Sequence, residues 1–156
     1  MDSTFSACED QGIIVEITDT NGVDASTIQL EVDGVVYTVD SAQIDWSPPV
    51  LTFTPSPLFA DGDTIRVRLI SAQDNLGNPL ESPLDWTFFM DLSPPVAFGF
   101  TPPDGGIIEE PSPDIILHLI DSISWVNTSS IGLTVDGSPF DLTSPALTME
   151  ADSLIF

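Results

Sequence analysis

The sequence predicts an all-β protein built of tandem antiparallel β-sandwiches, the second of them incomplete, and three observations carry that prediction. Apolar and polar residues alternate with a period of two, and nowhere do apolar residues recur at helical spacing over three turns. Gly, Pro, Asn and Asp interrupt the alternation at short intervals, as turns between short strands require. The stretch Ile28-Gln29-Leu30-Glu31-Val32-Asp33-Gly34 returns as Ile131-Gly132-Leu133-Thr134-Val135-Asp136-Gly137, an offset of 103 positions that marks a repeat array.

Taken in order, Val15 and Ile17 read as an inward-facing strand ending at Asp19. Their counterparts are Leu117, Leu119 and Asp121, at an offset of 102. Val23 maps onto Val126 at 103, so one residue is inserted in the loop before Val126, where loops tolerate it and strands do not. Asp33-Gly34 favours a two-residue type I′ turn, because both positions tolerate positive φ. Counting outward pairs Val32 with Val35, Leu30 with Tyr37 and Ile28 with Val39, which places these six side chains on one face and Gln29, Glu31, Val36 and Thr38 on the other. Asp136-Gly137 reproduces the hairpin, pairing Val135 with Ser138, Leu133 with Phe140 and Ile131 with Leu142. Further on, Leu51 and Phe53 map onto Leu154 and Phe156. Ile65, Val67 and Leu69 alternate with Thr64, Arg66 and Arg68, and Trp86, Phe88 and Met90 alternate with Thr87 and Phe89 to close the module. About seven short strands with one apolar face each, in roughly 100 residues, imply two sheets packed face to face.

The period divides the chain into a module over 1–92 and a second over 93–156. The second opens with the apolar strand between Pro94 and Pro102, whose counterpart in the first would precede Met1. Phe156 is the counterpart of Phe53, so nothing in the second module answers to Thr54 through Asp91. The first module is therefore expected to lack its first strand and the second its last ones, with the C-terminal third marginal in stability. Met1 aligns with Pro103, in mid-module, and reads as an internal or misassigned start.

Twenty-five acidic residues against two arginines and no lysine give a formal charge of -23. Such a charge argues against nucleic-acid partners and anionic membrane surfaces. The acid excess could serve cation binding, solubility in salty surroundings or, as the favoured reading, keep a β-rich chain of mean hydropathy +0.21 from associating edge to edge. Cys8 stands alone, so it forms no internal disulfide, and one thiol with one histidine does not make a zinc site. No apolar run approaches membrane-spanning length, and no basic segment precedes an apolar one as in an export signal, so membrane insertion is not expected and any signal would lie outside this stretch.

The strand entry Gly62-Asp63-Thr64-Ile65-Arg66-Val67, the loop Asp74-Asn75-Leu76-Gly77-Asn78, the closing Trp86-Thr87-Phe88 and the link Ser93-Pro94-Pro95 stand in an order and spacing that resembles the bacterial Ig-like modules found in tandem in surface-layer and other large extracellular proteins. The resemblance covers the first module and the first half of the second. It implies tandem Ig-like sandwiches, neighbouring modules of the same chain as partners, and a stalk, spacer or adhesion role without enzymatic activity. The chain departs from the antibody pattern in having no paired cysteines, so no disulfide is carried over.

Several residues invite a chemical reading. Asp74, Asn75 and Asn78 offer oxygens to calcium, although Asx-turn chemistry with Gly77 at positive φ explains the loop equally. Asp19-Thr20-Asn21-Gly22-Val23-Asp24 has calcium-loop spacing but no downstream bidentate glutamate, and its copy at Asp121 to Asn127 loses most of the ligands. Asp91 and Asp104 flank the inter-module segment and would stiffen it if a cation bridged them. Trp46 and Trp125 fall in loops and could stack on a sugar or cap a sandwich end, whereas Trp86 belongs to the core. His118 takes the place of outward-facing Glu16 and should be solvated; as the only histidine it would have to serve any Ser-His-Asp triad, yet a mid-strand position lacks a nucleophile elbow. No two carboxylates stand out as a glycosidase pair. Arg66 and Arg68 share an outer face and should meet carboxylates, and Asn127-Thr128-Ser129 is a glycosylation sequon by pattern.

These readings assign no catalytic, metal or cofactor site and no cofactor. They predict a non-enzymatic spacer of a repetitive secreted or cell-surface protein. The alternative is a glycan- or protein-binding module, possibly calcium-assisted. Loops discriminate between them: Gly22 becomes Trp125, while the Ile, Leu, Val and Asp-Gly positions persist, a pattern that favours the spacer.

Overall fold

The computed structural model describes residues 4–156; Met1, aligned with Pro103 in the sequence, lies outside the described residues. The chain is all-β, with several sheets of which none closes, and it divides into two compact units, Met1–Leu92 and Ser93–Phe156. Among the described residues the helical content is one 3-10 turn, Thr128–Ser130.

The first unit holds β1 (Thr4–Ser6), β2 (Ile13–Glu16), β3 (Val23–Val32), β4 (Val35–Tyr37), β5 (Ile44–Ser47), β6 (Val50–Phe53), β7 (Thr64–Asp74) and β8 (Leu84–Met90). They form one sheet of order β1-β8-β7-β3-β4 and another of order β2-β6-β5. The alternating side chains of both sheets meet in one cluster of fourteen buried residues, among them Val15, Leu30, Leu51, Val67 and Met90. β7 is central in its sheet because both its edges are paired, by β3 and by β8, and its Ile65, Val67 and Leu69 face inward.

Local chemistry sets the details. Asp33 and Gly34 have φ of 49° and 81°, as a type I′ turn demands. Val32 opposes Val35 and Leu30 opposes Tyr37, but the ladder stops there and Ile28 does not pair with Val39. The reason is that the Thr38 N–H turns to the Ser41 side chain (3.0 Å) and ends β4. Val35, at the hairpin tip, is 54% exposed and so does not join the inward face. β3 begins at Val23, five residues before the predicted start, and is bulged between Asp24 and Gln29. There the Gln73 N–H donates to Thr27 Oγ1 (2.8 Å), a side chain replacing the carbonyl that the bulge moves away. The strand β1 was not expected. It pairs in parallel with β8, setting Phe5 beside Phe89, at the opposite edge of the sheet from β4.

The second unit holds β9 (Val96–Thr101), β10 (Ile116–Ile120), β11 (Gly132–Val135), β12 (Ser138–Asp141), β13 (Thr148–Glu150) and β14 (Ser153–Ile155). Its sheets have orders β13-β14-β10-β9 and β11-β12. Asp136 and Gly137 adopt φ of 49° and 78°, with Val135 opposite Ser138 and Leu133 opposite Phe140. Ile131 precedes the ladder, which begins with Gly132 opposite Asp141, so its expected pairing with Leu142 is absent. Trp46 opposes Leu51 in β5 and β6, and Met149 opposes Leu154 in β13 and β14. Val15 opposes Leu51, and Leu117 opposes Leu154. Only Ile131, Leu147 and Leu154 are buried in this unit's core, and every residue of β9 is exposed.

Candidate functional site

The two acidic loops of the first unit, separate in the sequence, form one clasp. Val23 pairs with Asp74 across β3 and β7, which brings Asp19–Asp24 against Asp74–Asn78. Asn75 donates from Nδ2 to the Asn21 carbonyl (2.7 Å) and from its backbone N–H to the Gly22 carbonyl (3.2 Å). Gly22 sits at φ 80°, and a Cβ there would lie 2.6 Å from Asn75 Nδ2, so both the backbone and the contact require glycine. Asp74 is buried, and its carboxylate is surrounded by donors: Oδ1 accepts from the Leu76 and Asn78 N–H groups (2.9 and 2.7 Å), and Oδ2 from Asn78 Nδ2 (2.7 Å) and Asn21 Nδ2 (3.4 Å). The Asn78 side chain, followed by the other donors, holds this carboxyl below the usual carboxylate range despite its burial. The oxygens face inward to the clasp and serve the turn. Asp19 Oδ1 likewise accepts from the Asn21 N–H at 2.7 Å. The two loops read separately in the sequence, and only the Asx residues and the glycine that each contains hint at their meeting.

On the outer face of β7, Arg66 forms a two-pronged pair with Asp85, one contact being Nε to Oδ1 at 3.1 Å. Arg68 reaches Glu31 at 3.4 Å and Asp85 at 3.8 Å. The bond to Arg66 lowers the Asp85 pKa, and Asp85 in turn raises that of Arg66.

The aromatic candidates divide differently from expectation. Trp46 is not in a loop but on β5, half-buried and packed on the first core, because the turn at Pro48-Pro49 follows the strand directly. Trp86 is half-buried against the same core. Trp125 is 82% exposed, with φ of 73°, beside an apolar cavity of about 610 Å³ also lined by Leu119, Asp121, Val126 and Met149.

No family model matches the sequence, and no curated protein matches it. Among solved structures the chain is similar to dimeric latent PorU from Porphyromonas gingivalis, at a TM-score of 0.42 and 21% identity. The likeness covers 77% of this chain and 12% of that one, so the chain spans a small part of its length.

His118 is not fully solvated as its outward position implied. Its ring stacks on Phe98 with centroids 5.3 Å apart, over Gly99, whose added Cβ would lie 2.8 Å from His118 Cδ2. Ser153 Oγ lies 3.0 Å from His118 Nδ1, and Asp152 Oδ1 lies 3.7 Å from that same nitrogen. A relay needs serine and aspartate on opposite ring nitrogens, so this trio is not arranged as one. Asp91 is buried in the first unit, its N–H bonded to the Ser6 carbonyl (2.9 Å), while Asp104 is an exposed residue of the second. Asn127 caps the 3-10 turn, accepting from the Ser129 N–H and hydroxyl (3.1 and 2.7 Å). Among the described residues no group of three or more His, Cys, Asp or Glu converges as metal ligands, and no helix is long and apolar enough to cross a membrane.

Proposed function

We propose that the chain is a stretch of non-enzymatic spacer, made of Ig-like β-sandwich modules strung in tandem in a secreted or surface-anchored bacterial protein. One observation carries the reading. The opposition of Trp46 to Leu51 recurs as Met149 to Leu154, together with the Asp-Gly hairpins, while the loops between these strands diverge. The clasp of the first unit depends on Gly22, and Trp125 occupies the corresponding loop of the second. Preserved cores with free loops are what a spacer needs, since its work is to hold a distal domain at a distance. Pro94 and Pro95, at the start of the second unit and before β9, restrict the backbone between modules, which suits a semi-rigid array.

Reading the coding DNA on either side tests this. A continuing period of 103 residues with an export signal and an anchoring segment is the expected result; flanks without further copies overturn the array. A glycan- or protein-binding module is the second reading, favoured by exposed Trp125 at its cavity. Glycan binding that is lost on Trp125→Ala would put that reading first.

A further inference from the structure

The clasp of the first unit contains a chemical conflict. Asn21-Gly22 is the one Asn-Gly pair in the chain. The fold demands glycine at the second position, because φ is 80° and an added Cβ would lie 2.6 Å from Asn75 Nδ2. The same bare Cα leaves the Gly22 nitrogen unshielded toward the side-chain amide of Asn21, the arrangement in which an asparagine cyclises most readily. Asn21 is also exposed, so water reaches it.

In the closed clasp both reacting groups are held. The Gly22 N–H donates to the Asp19 carbonyl (3.0 Å), which keeps on the nitrogen the proton it must lose in order to attack. Asn21 Nδ2, the group that must leave, donates to Asp74 Oδ2 (3.4 Å). The main chain around them is fixed as well. The Asn21 N–H donates to Asp19 Oδ1 (2.7 Å), and the Asn21 carbonyl accepts from Asn75 Nδ2 (2.7 Å).

We infer that Asn21-Gly22 is a self-modification site gated by the clasp: the closed clasp suppresses deamidation of Asn21, the open one permits it, and the product keeps the clasp from closing again. The Gly22 nitrogen, giving up its proton, bonds to Asn21 Cγ. The Cγ–Nδ2 bond breaks, and Nδ2 departs with that proton as ammonia, leaving a cyclic imide. Water then adds to one of the two imide carbonyls. Opening at Cγ gives an aspartate at position 21, and opening at the main-chain carbon gives an isoaspartate, in which the chain runs through the former side chain. No oxidant or reductant takes part. Either product removes the donor to Asp74 Oδ2 and adds a negative charge near that carboxylate, and the isoaspartate also lengthens the main chain by one carbon where Asn75 grips it.

The full chain is incubated at neutral pH and Asn21 is followed by peptide mapping and mass spectrometry, with a synthetic peptide of residues 17–25 as the ungated reference. Deamidation in the folded chain is expected to be at least about tenfold slower than in the peptide, because it proceeds from the opened clasp and scales with the population of that state. Asn75→Ala, which removes the grip on the Asn21 carbonyl from an exposed position, is expected to raise the rate at least about threefold, with amide protection at Leu30 and Val67 unchanged. In the modified fraction of the parent chain, the Leu76 and Asn78 N–H groups that donate to Asp74 are expected to exchange faster than in unmodified chains. A folded chain that deamidates as fast as the peptide, a rate indifferent to Asn75→Ala, or equal exchange in the two fractions would each overturn the inference. The first and third comparisons use the parent sequence, so they decide the matter even if the variant loses its fold. The inference concerns one clasp within the first unit and stands apart from the spacer reading.

Discussion

Leu51 and Leu154 occupy corresponding places, each opposite its β2 or β10 neighbour and each at 1–2% exposure, yet their surroundings differ. Leu51 belongs to a cluster of fourteen buried residues, and Leu154 to one of three. Truncation to alanine removes three carbons, roughly 2.4 kcal/mol at ~0.8 kcal/mol for each buried CH₂. In the first unit, two packed sheets hold the cavity open, and the residual void raises the cost to about 3–5 kcal/mol. In the second, the half-buried Leu117, Leu133 and Met149 around Leu154 have room to relax, so the cost stays near the transfer value of about 2 kcal/mol. That smaller loss is the more damaging, because a unit with three buried apolar residues has little stability to lose. Hydrogen exchange in increasing urea, read separately for residues 4–92 and 93–156, measures both. The expected result is a first unit that stays cooperative after Leu51→Ala and a second unit open in plain buffer after Leu154→Ala. Equal free-energy losses, or a second unit as protected as the first in the parent protein, would refute the reasoning.

Gly22→Ala forces a side chain into a left-handed backbone and against Asn75, and should lower the urea midpoint of the first unit by an amount corresponding to about 1–3 kcal/mol. The carboxyls of Asp74, Asp85 and Asp141 all have depressed pKa values, so the folded chain binds these protons less readily than the unfolded one. Their stabilising effect is fully present above the ordinary carboxylate pKa of about 4 and is lost as pH falls through the lower folded values. The melting temperature should hold steady from neutral pH to about 5 and then fall. Asp74→Asn should flatten that acid limb, and an unchanged slope would remove Asp74 from the account. Because the Asp74 oxygens already accept four hydrogen bonds within the clasp, millimolar calcium should leave the melting midpoint where EDTA leaves it. A rise in calcium would instead favour the ligand-binding reading.

Much of the local architecture is legible in the sequence, because its causes are local. Asp33-Gly34 and Asp136-Gly137 dictate their turns within two residues, and the registers of Leu30 with Tyr37 and Leu133 with Phe140 follow by counting. What escapes such counting depends on distant partners. The parallel pairing of β1 with β8 joins residues far apart in the chain, and three residues carry no periodicity to announce it. The bulge in β3 exists because the Thr27 hydroxyl answers Gln73, and the clasp because Asn75 reaches back to Asn21. Trp46 looked like a loop residue since Pro48-Pro49 crowds it, although the Ile44, Trp46 alternation was there to be read. His118 was placed on the correct face, but its stacking on Phe98 depends on the missing Cβ of Gly99.

Both arginines project from one strand, and each already faces carboxylates, so the basic charge of the chain is spent within a few ångströms of where it arises. No other lysine or arginine occurs in the chain, against twenty-five acidic residues. With a net charge of -23, two such molecules approaching in dilute electrolyte repel each other, with a range set by the Debye length, about 10 Å at 0.1 M salt. Crowded side by side, like-charged copies would keep a spacing that is governed by counterions and swells or collapses with the salinity of the medium.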